Sequence, residues 1–438
     1  MEIDKTTLQD LMVIQHEDEF SIFGKLNETL TVRGREQFLK NLMHPFSDAA
    51  SIIEVQLILK LVLQKKYGWT KCISNGTLMV VERFYDAQIN TIPSHPGKTS
   101  AYSYKIFSSQ DFSLVRYSIS HCLDFLRGMQ QLYVLLWNEE IPPLLKKILS
   151  EVSHLLSAEP IKVIEKYNKT SEMPIGKMLQ FAHFIRYRYK HNMHTLLQLF
   201  AHIDAWYGMA KSVELYKLVF PEIIESSEPL IEADGLYHLL LPNPVPYSIK
   251  INKENNFIFL TGANMAGKST FIKAVGAAVF LAHCGMGVPA KNMRLSSFDG
   301  LLSNINIVDN LAKGESYFYN EVQRIKATVN MVKDGRKWLI LIDELFKGTN
   351  VQDAMKCSTT VIEGLIRIKN SAFILSTHLY EIGNALRQYP NISFQYFETE
   401  IKDDQLTFSY LLKEGISSDR LGYYILKKEG VVHLLENL

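Results

Sequence analysis

The chain has 438 residues, a formal net charge of +1, 47% hydrophobic residues and 21% charged ones. That length allows two or three domains and that composition buries large cores, which excludes a disordered chain. A charge so near zero excludes a protein held on DNA only by a strongly basic surface, and four scattered cysteines, Cys72, Cys122, Cys284 and Cys357, fit reduced, mostly buried thiols of a cytoplasmic protein and offer no metal site.

The N-terminus, Met1-Glu2-Ile3-Asp4-Lys5, lacks the basic-then-apolar pattern of a signal peptide. Residues 1–230 read as mainly helical. The spacing predicts a helix over 31–42 with Phe38, Leu39 and Leu42 on one face. His44-Pro45 ends it, because the residue before proline leaves the α region. Asp48 suits the start of the next helix, over 50–65. The polar stretch 90–98 reads as a loop, and long amphipathic segments follow at 112–137, 142–158, 174–200 and 202–218. Within the third, Arg186, Lys190 and His194 would share a helix face among aromatics. The plainer reading is a solvated face with the aromatics turned inward, and the sharper one is a contact to a phosphate backbone.

After residue 230 short apolar runs, at 247–251, 257–260, 338–342 and 372–376, alternate with helical stretches. This alternation predicts an α/β domain with a largely parallel sheet. The longest apolar stretch, 272–290, is broken by Lys273, His283 and several glycines, so no membrane span is expected.

The run Thr261-Gly262-Ala263-Asn264-Met265-Ala266-Gly267-Lys268-Ser269-Thr270 contains G-x-x-x-x-G-K-S between a predicted strand, 257–260, and a predicted helix, 271–284. Strand, glycine loop and helix together make a phosphate site. The loop N–H groups and the positive helix end cradle phosphates, Lys268 adds a charge near the β and γ phosphates, and Ser269 offers a hydroxyl to Mg²⁺. Downstream, Gly314-Glu315-Ser316 precedes a helical stretch with Phe318 and Glu321. It reads either as a simple N-cap or as a second phosphate-binding helix end supplied to a neighbouring subunit. The strand 338–342 ends in Asp343-Glu344: Asp343 is placed to hold Mg²⁺, usually through water, and Glu344 to polarise the water that attacks the γ-phosphate. After the strand 372–376 comes Thr377-His378, where the histidine is either structural or a γ-phosphate sensor, the neighbourhood favouring the sensor.

These residues resemble the MutS family of DNA mismatch-repair ATPases. The loop is similar to that family's Thr-Gly-Pro-Asn-Met-Gly/Ala-Gly-Lys-Ser-Thr, and Val288-Pro289-Ala290 falls where the family has the same tripeptide. Asp309 with Gly314-x-Ser316-x-Phe318-x-x-Glu321 looks like its Asp-Asp…Gly-Arg-Ser-Thr-Phe-x-x-Glu, and Asp343-Glu344 through Gly348-Thr349 resembles its Asp-Glu-Ile-Gly-Arg-Gly-Thr, with Phe346 in place of the first of those glycines. Ser376-Thr377-His378 matches its Ala-Thr-His, and the tail with Gly415, Ser417 and Gly422 resembles its closing segment. Upstream, Thr31-x-x-Gly34 and the stretch around Asp204 look like its helical core.

The resemblance implies an all-helical lever or core domain over 1–230 and an ABC-like P-loop ATPase domain over 231–438. It implies ATP and Mg²⁺ as cofactors, and a homodimer in which Ser316 reaches the γ-phosphate bound by the partner's Lys268. Tyr410 falls where the family stacks adenine, with Tyr247 a second candidate, and a buried core tyrosine is the competing reading. With the lever motif inside the first thirty or so residues, no mismatch-reading or connector domain is expected, and little room is left for a clamp. The partner therefore stays open between double-stranded DNA and a protein held by the levers. A transporter-type ATPase subunit is the third reading, opposed by the Asn264-Met265 pair.

Overall fold

The structure is a computed structural model that describes residues 1–305, 317–402, 405–417, 426–428 and 430–436. Their contacts divide the chain into two units: Met1–Lys25, His44–Ile53 and Leu215–Leu438 form one, Leu26–Met43 and Glu54–Glu214 the other.

The second unit is helical. Its longest helix, Ser109–Leu136, buries Val115, Ile119, Cys122, Leu126 and Met129, a stripe at alternating spacings of four and three that lies along one face. The helix Val32–Met43 begins where expected, and its start is fastened from far along the chain. The carboxylate of Asp204, fully buried, accepts the N–H groups of Leu30 (3.0 Å) and Thr31 (2.9 Å) and the Thr31 hydroxyl (2.5 Å). Gly34 leaves room for it, since a Cβ there would stand 2.1 Å from Asp204 Oδ2. The Thr31-x-x-Gly34 pattern and Asp204 are thus two halves of one joint.

The amphipathic stretch expected over 174–200 is divided. Helix Ile175–His183 passes into a π turn, Phe184–Arg188, closed by the Tyr189 N–H donating to the Phe184 carbonyl (3.0 Å), and helix Lys190–Leu215 then runs without a break at 201. The extra residue of a π turn shifts the helical register. Arg186 donates to the carbonyls of Phe84 and of Ala87 (2.6 Å), so it caps the end of helix Asn75–Asp86. Its guanidinium is spent on those carbonyls, which corrects the phosphate-contact reading for this residue.

The first unit is built on a seven-stranded sheet. The strands are β1 (Glu2–Ile3), β5 (Phe257–Thr261), β7 (Gly300–Asn304), β8 (Trp338–Asp343), β9 (Ala372–Ser376), β10 (Ile392–Lys402) and β11 (Gln405–Glu414). Their order is β1-β7-β8-β9-β5-β10-β11, parallel throughout except for the β10–β11 hairpin. β5, β7, β8 and β9 are buried at every position, as strands covered on both faces are. A second, mixed sheet has the order β2-β6-β3-β4, from β2 (Glu222–Ile224), β3 (Ile231–Leu236), β4 (Tyr247–Ile251) and β6 (Asn292–Ser296).

Residues 1–25 belong with this sheet, although the sequence reading assigns them to the helical half. The physical reason is the polar end of β7. Ser303 donates its N–H to Thr7 Oγ1 (2.9 Å) and its hydroxyl to Asp10 Oδ2 (2.5 Å), which also accepts the Ile305 N–H (3.0 Å). These groups are buried and would be costly to leave unpaired. Among the described residues no helix is long and apolar enough to cross a membrane.

Candidate functional site

β5 delivers the chain into the glycine loop, and the helix Lys268–His283 starts at the loop's last residue but one, three residues before the expected 271. Gly262 and Gly267 stand at φ +138° and +109°, conformations that glycine reaches freely and other residues do not. Gly262 also passes close to β10: a Cβ there would lie 3.2 Å from the Phe397 carbonyl oxygen. Met265, at φ +69°, projects from the loop and is 76% exposed, beside exposed Asn264, while Ala266 is buried under it.

Lys268 folds back into this loop. Its Nζ donates to the carbonyls of Gly262 (2.7 Å) and Ala263 (3.0 Å). Burial lowers its pKa, and the charges of Glu344 and Asp343 partly offset that. Ser269 donates its hydroxyl to Oδ2 of Asp343, and Ser376 donates to Oδ1 of the same carboxylate. The sheet makes both contacts available: β8 ends at Asp343, which pairs with Ser376 in the β8–β9 register, and β9 lies directly between β8 and β5.

Glu344 follows at φ +62°, its N–H donating to the Ser376 carbonyl (3.0 Å). His378 Nδ1 stands 3.7 Å from its carboxylate and Lys347 Nζ 3.3 Å. His378, then Lys347 and Lys268, hold the Glu344 carboxyl down at about 2 against the opposing push of burial. Glu344 is therefore a carboxylate at neutral pH, able to accept a hydrogen bond, and His378 is its direct neighbour.

A cavity of about 710 Å³ is lined by Ala263 to Met265 and Gly267 of the loop, Lys268, Ser269, Thr270, Glu344 and Lys347. Its far wall is Leu241–Val245 with Tyr247 and Tyr410. Tyr247 is buried edge-on against Phe271 and Phe397 (ring centroids 5.4 and 5.7 Å). Tyr410 is 38% exposed and lies close to Gly267, where a Cβ would meet its ring at 3.4 Å. The structure thus brings together Gly262 to Thr270, Asp343, Glu344, His378 and Tyr410. Ser316 lies outside the described residues, as do Asp309, Gly314 and Gly422.

Three contributors were given no role by the sequence reading, although Glu321 and Ser376 fall inside patterns it quotes. Ser376 has a weak signal, a hydroxyl at the end of an otherwise apolar strand. Lys347 has none beyond its place after the acid pair. Glu321, 2% exposed, accepts the N–H groups of Lys347 (3.0 Å) and Gly348 (3.2 Å) and so reaches the loop behind Glu344 from a different helix, Tyr317–Val332.

A family model described as MutS domain V matches residues 258–434. The DNA mismatch repair protein MutS of Aquifex pyrophilus is 30% identical over 230 residues, 52% of this chain and 26% of that protein. MutS of Petrotoga mobilis is 26% identical over 280 residues, 63% of this chain and 33% of its own length. MutS of Streptococcus suis is 27% identical over 264 residues, 58% and 31% respectively. The matched part of these curated relatives is about a quarter to a third of their length.

Proposed function

The chain belongs to the MutS family, and on that premise we propose that it is a DNA-associated ATPase whose nucleotide sites are completed by a second copy of itself. One observation carries the reading: a glycine loop, a buried lysine, Ser269 and an ionised glutamate line one cavity large enough for a nucleotide, with Asp343 hydrogen-bonded to Ser269. In this reading residues 231–438, joined by residues 1–25 at their sheet, are the ATPase domain, of ABC-like P-loop type, and the helical unit within 26–214 is the lever.

ATP binds with its phosphates along the loop. Lys268 exchanges the Gly262 and Ala263 carbonyls for phosphate oxygens, and the loop N–H groups supply the remaining donors. Adenine lies toward Tyr410 and Tyr247. The donor set fits Mg²⁺: one hydroxyl and one carboxylate, Ser269 and Asp343, are in direct contact. Among the described residues no cluster of three or more His, Cys, Asp or Glu forms a dedicated metal cage, as suits an ion held largely by phosphates and water. Bound there, the ion would neutralise charge on the phosphoryl oxygens. Glu344 orients and polarises the attacking water, with His378 and Lys347 fixing its carboxylate. Ser316 of the second copy faces the γ-phosphate, and the resulting closure changes how the helical lever engages duplex DNA. The cytoplasm is the setting.

The test is Mg²⁺-dependent ATP hydrolysis by the protein and by two variants. Lys268→Ala is expected to lose nucleotide binding, and Glu344→Ala to bind ATP but turn over at least about a hundredfold more slowly. Mixing Lys268→Ala with Ser316→Ala restores one working site per heterodimer. Wild-type turnover by Glu344→Ala removes the assigned base. Proven heterodimers without recovery remove the composite site.

A further inference from the structure

The loop behind Glu344 holds two non-glycine residues in the left-handed region, Glu344 at φ +62° and Phe346 at φ +58°. Side chains of that size avoid this region unless the surroundings compel it. Left-handed residues also turn successive N–H groups to one side, forming a concave nest suited to an anion. Here the anion is the chain's own: the Lys347 N–H donates to Glu321 Oε1 (3.0 Å) and the Gly348 N–H to Oε2 (3.2 Å). The helix bearing Glu321 grips the loop once more, with the Phe318 ring 5.8 Å from that of Phe346. Its other face is anchored. Arg324 donates to Asn304 Oδ1 (2.6 Å) and the Ser303 carbonyl (2.8 Å) at the end of β7, and to Asp4 Oδ2 (2.7 Å).

We propose that Glu321 is a positioning residue for the hydrolysis: its carboxylate, seated in the backbone nest of Lys347 and Gly348, holds Glu344 and Lys347 at the mouth of the cavity. This rests on the ATPase reading above. A carboxylate suits the place because it accepts twice and donates nothing, so both N–H groups are met by one buried side chain. It matters more in this chain because position 346 is phenylalanine. Glycine would take φ +58° unaided, whereas phenylalanine stays there because Phe318 packs on its ring and Glu321 receives the N–H groups that follow it. The same helix is the one that follows the Gly314-x-Ser316 segment.

Glu321→Gln tests this, because the amide keeps the size but sets an NH₂ group against one of the two N–H donors. Expected is a fall in kcat of at least about tenfold from misplacement of Glu344, with affinity for a fluorescent ATP analogue within about threefold of wild type. Hydrogen exchange should quicken in the peptide covering 345–349 and not elsewhere. Adding Phe346→Gly to Glu321→Gln should restore much of the lost kcat, since the loop then reaches its conformation without the clamp. Unchanged kcat and unchanged exchange would overturn the proposal. So would a joint loss of kcat, nucleotide affinity and protection along the whole chain with no recovery from glycine, which would make Glu321 an ordinary core group. If the wild-type protein hydrolyses no ATP, the ATPase reading falls, and exchange at 345–349 in Glu321→Gln decides the clamp alone.

Discussion

Two loops border the nucleotide cavity, and they reach the same kind of backbone by opposite means. In the loop 262–267, glycines occupy the two widest positive φ values, +138° and +109°, with exposed Met265 at +69° between them, and most of the conformation is built into the local residues. In the loop 344–348, a glutamate and a phenylalanine sit at +62° and +58°, each at a cost of about 1–3 kcal/mol. That cost is offset from elsewhere in the chain, by Glu321 and Phe318. The first loop is preformed for a ligand whose charge is always the same. The second depends on a helix, so its geometry responds to whatever moves that helix. A binding element gains from local rigidity, and a catalytic element that is to be switched gains from remote support.

The largest expected effect comes from removing the local solution. Gly267→Ala puts a Cβ on a residue at φ +109° and 3.4 Å from the Tyr410 ring. Strain of about 1–3 kcal/mol in the binding-competent loop corresponds to an affinity loss of about 5- to 150-fold for ATP, readable by titration with a fluorescent analogue. The reverse change in the other loop, Phe346→Gly alone, should alter ATP affinity by no more than about threefold. Equal effects at the two positions would erase the distinction between them.

This distinction also explains what could be read from the residues alone. The loop 261–270, the buried strands at 257, 338 and 372 and the acid pair are local patterns, and each stands where it was expected. Glu321, Ser376 and Lys347 act through contacts that join separate elements, and nothing in their immediate neighbours announces them. β7, Gly300–Asn304, is fully buried yet ends in Ser303 and Asn304, which blunt its apolar signal. Their partners, Asp10 and Arg324, are hundreds or tens of residues away. β1 and β2 are only two and three residues long, and β3 and β6 mix charged or polar residues among their apolar ones, so composition says little there. Arg186, Lys190 and His194 do come together, against the Phe84 and Tyr85 rings, but the π turn at Phe184–Arg188 was not legible in the periodicity.

The helical unit repeats the remote device, and that gives a smaller, separable effect. Asp204 receives three donors from residues 30 and 31, as Glu321 receives two from 347 and 348. Asp204→Asn keeps the shape but faces an NH₂ toward a donor, leaving buried groups unmet at about 1–3 kcal/mol of folding stability. The denaturant midpoint of the full chain should fall while ATP affinity stays within about twofold of wild type. A loss of ATP affinity matching that of Gly267→Ala would show that the joint at residue 31 serves the nucleotide site and not the helix alone.

The smallest effect is in pH, and it separates the two carboxylates by sign. Glu344 is held at about 2, chiefly by His378, below the ordinary 4.5. A carboxyl with a lowered folded-state pKa adds stability that is full above about 4.5 and is lost as pH falls toward about 2. Asp204 is shifted the other way, its pKa raised mainly by burial, with the Thr31 hydroxyl and two N–H groups pulling against it. The folded chain therefore takes up this proton before the unfolded chain does, and protonation at Asp204 favours folding as pH falls through the ordinary carboxylate range. Denaturant midpoints measured from pH 6 to pH 3 for the wild type, Glu344→Gln and Asp204→Asn read out both. The advantage of wild type over Glu344→Gln should shrink on acidification by an amount on the order of 1 kcal/mol, since solvent and neighbouring charges screen the pair. The advantage over Asp204→Asn should grow over the same interval. Parallel curves for all three proteins would mean that neither carboxylate changes its proton affinity on folding. Glu344 would then be an unperturbed acid, and its neighbours His378 and Lys347 would have no hold on its charge.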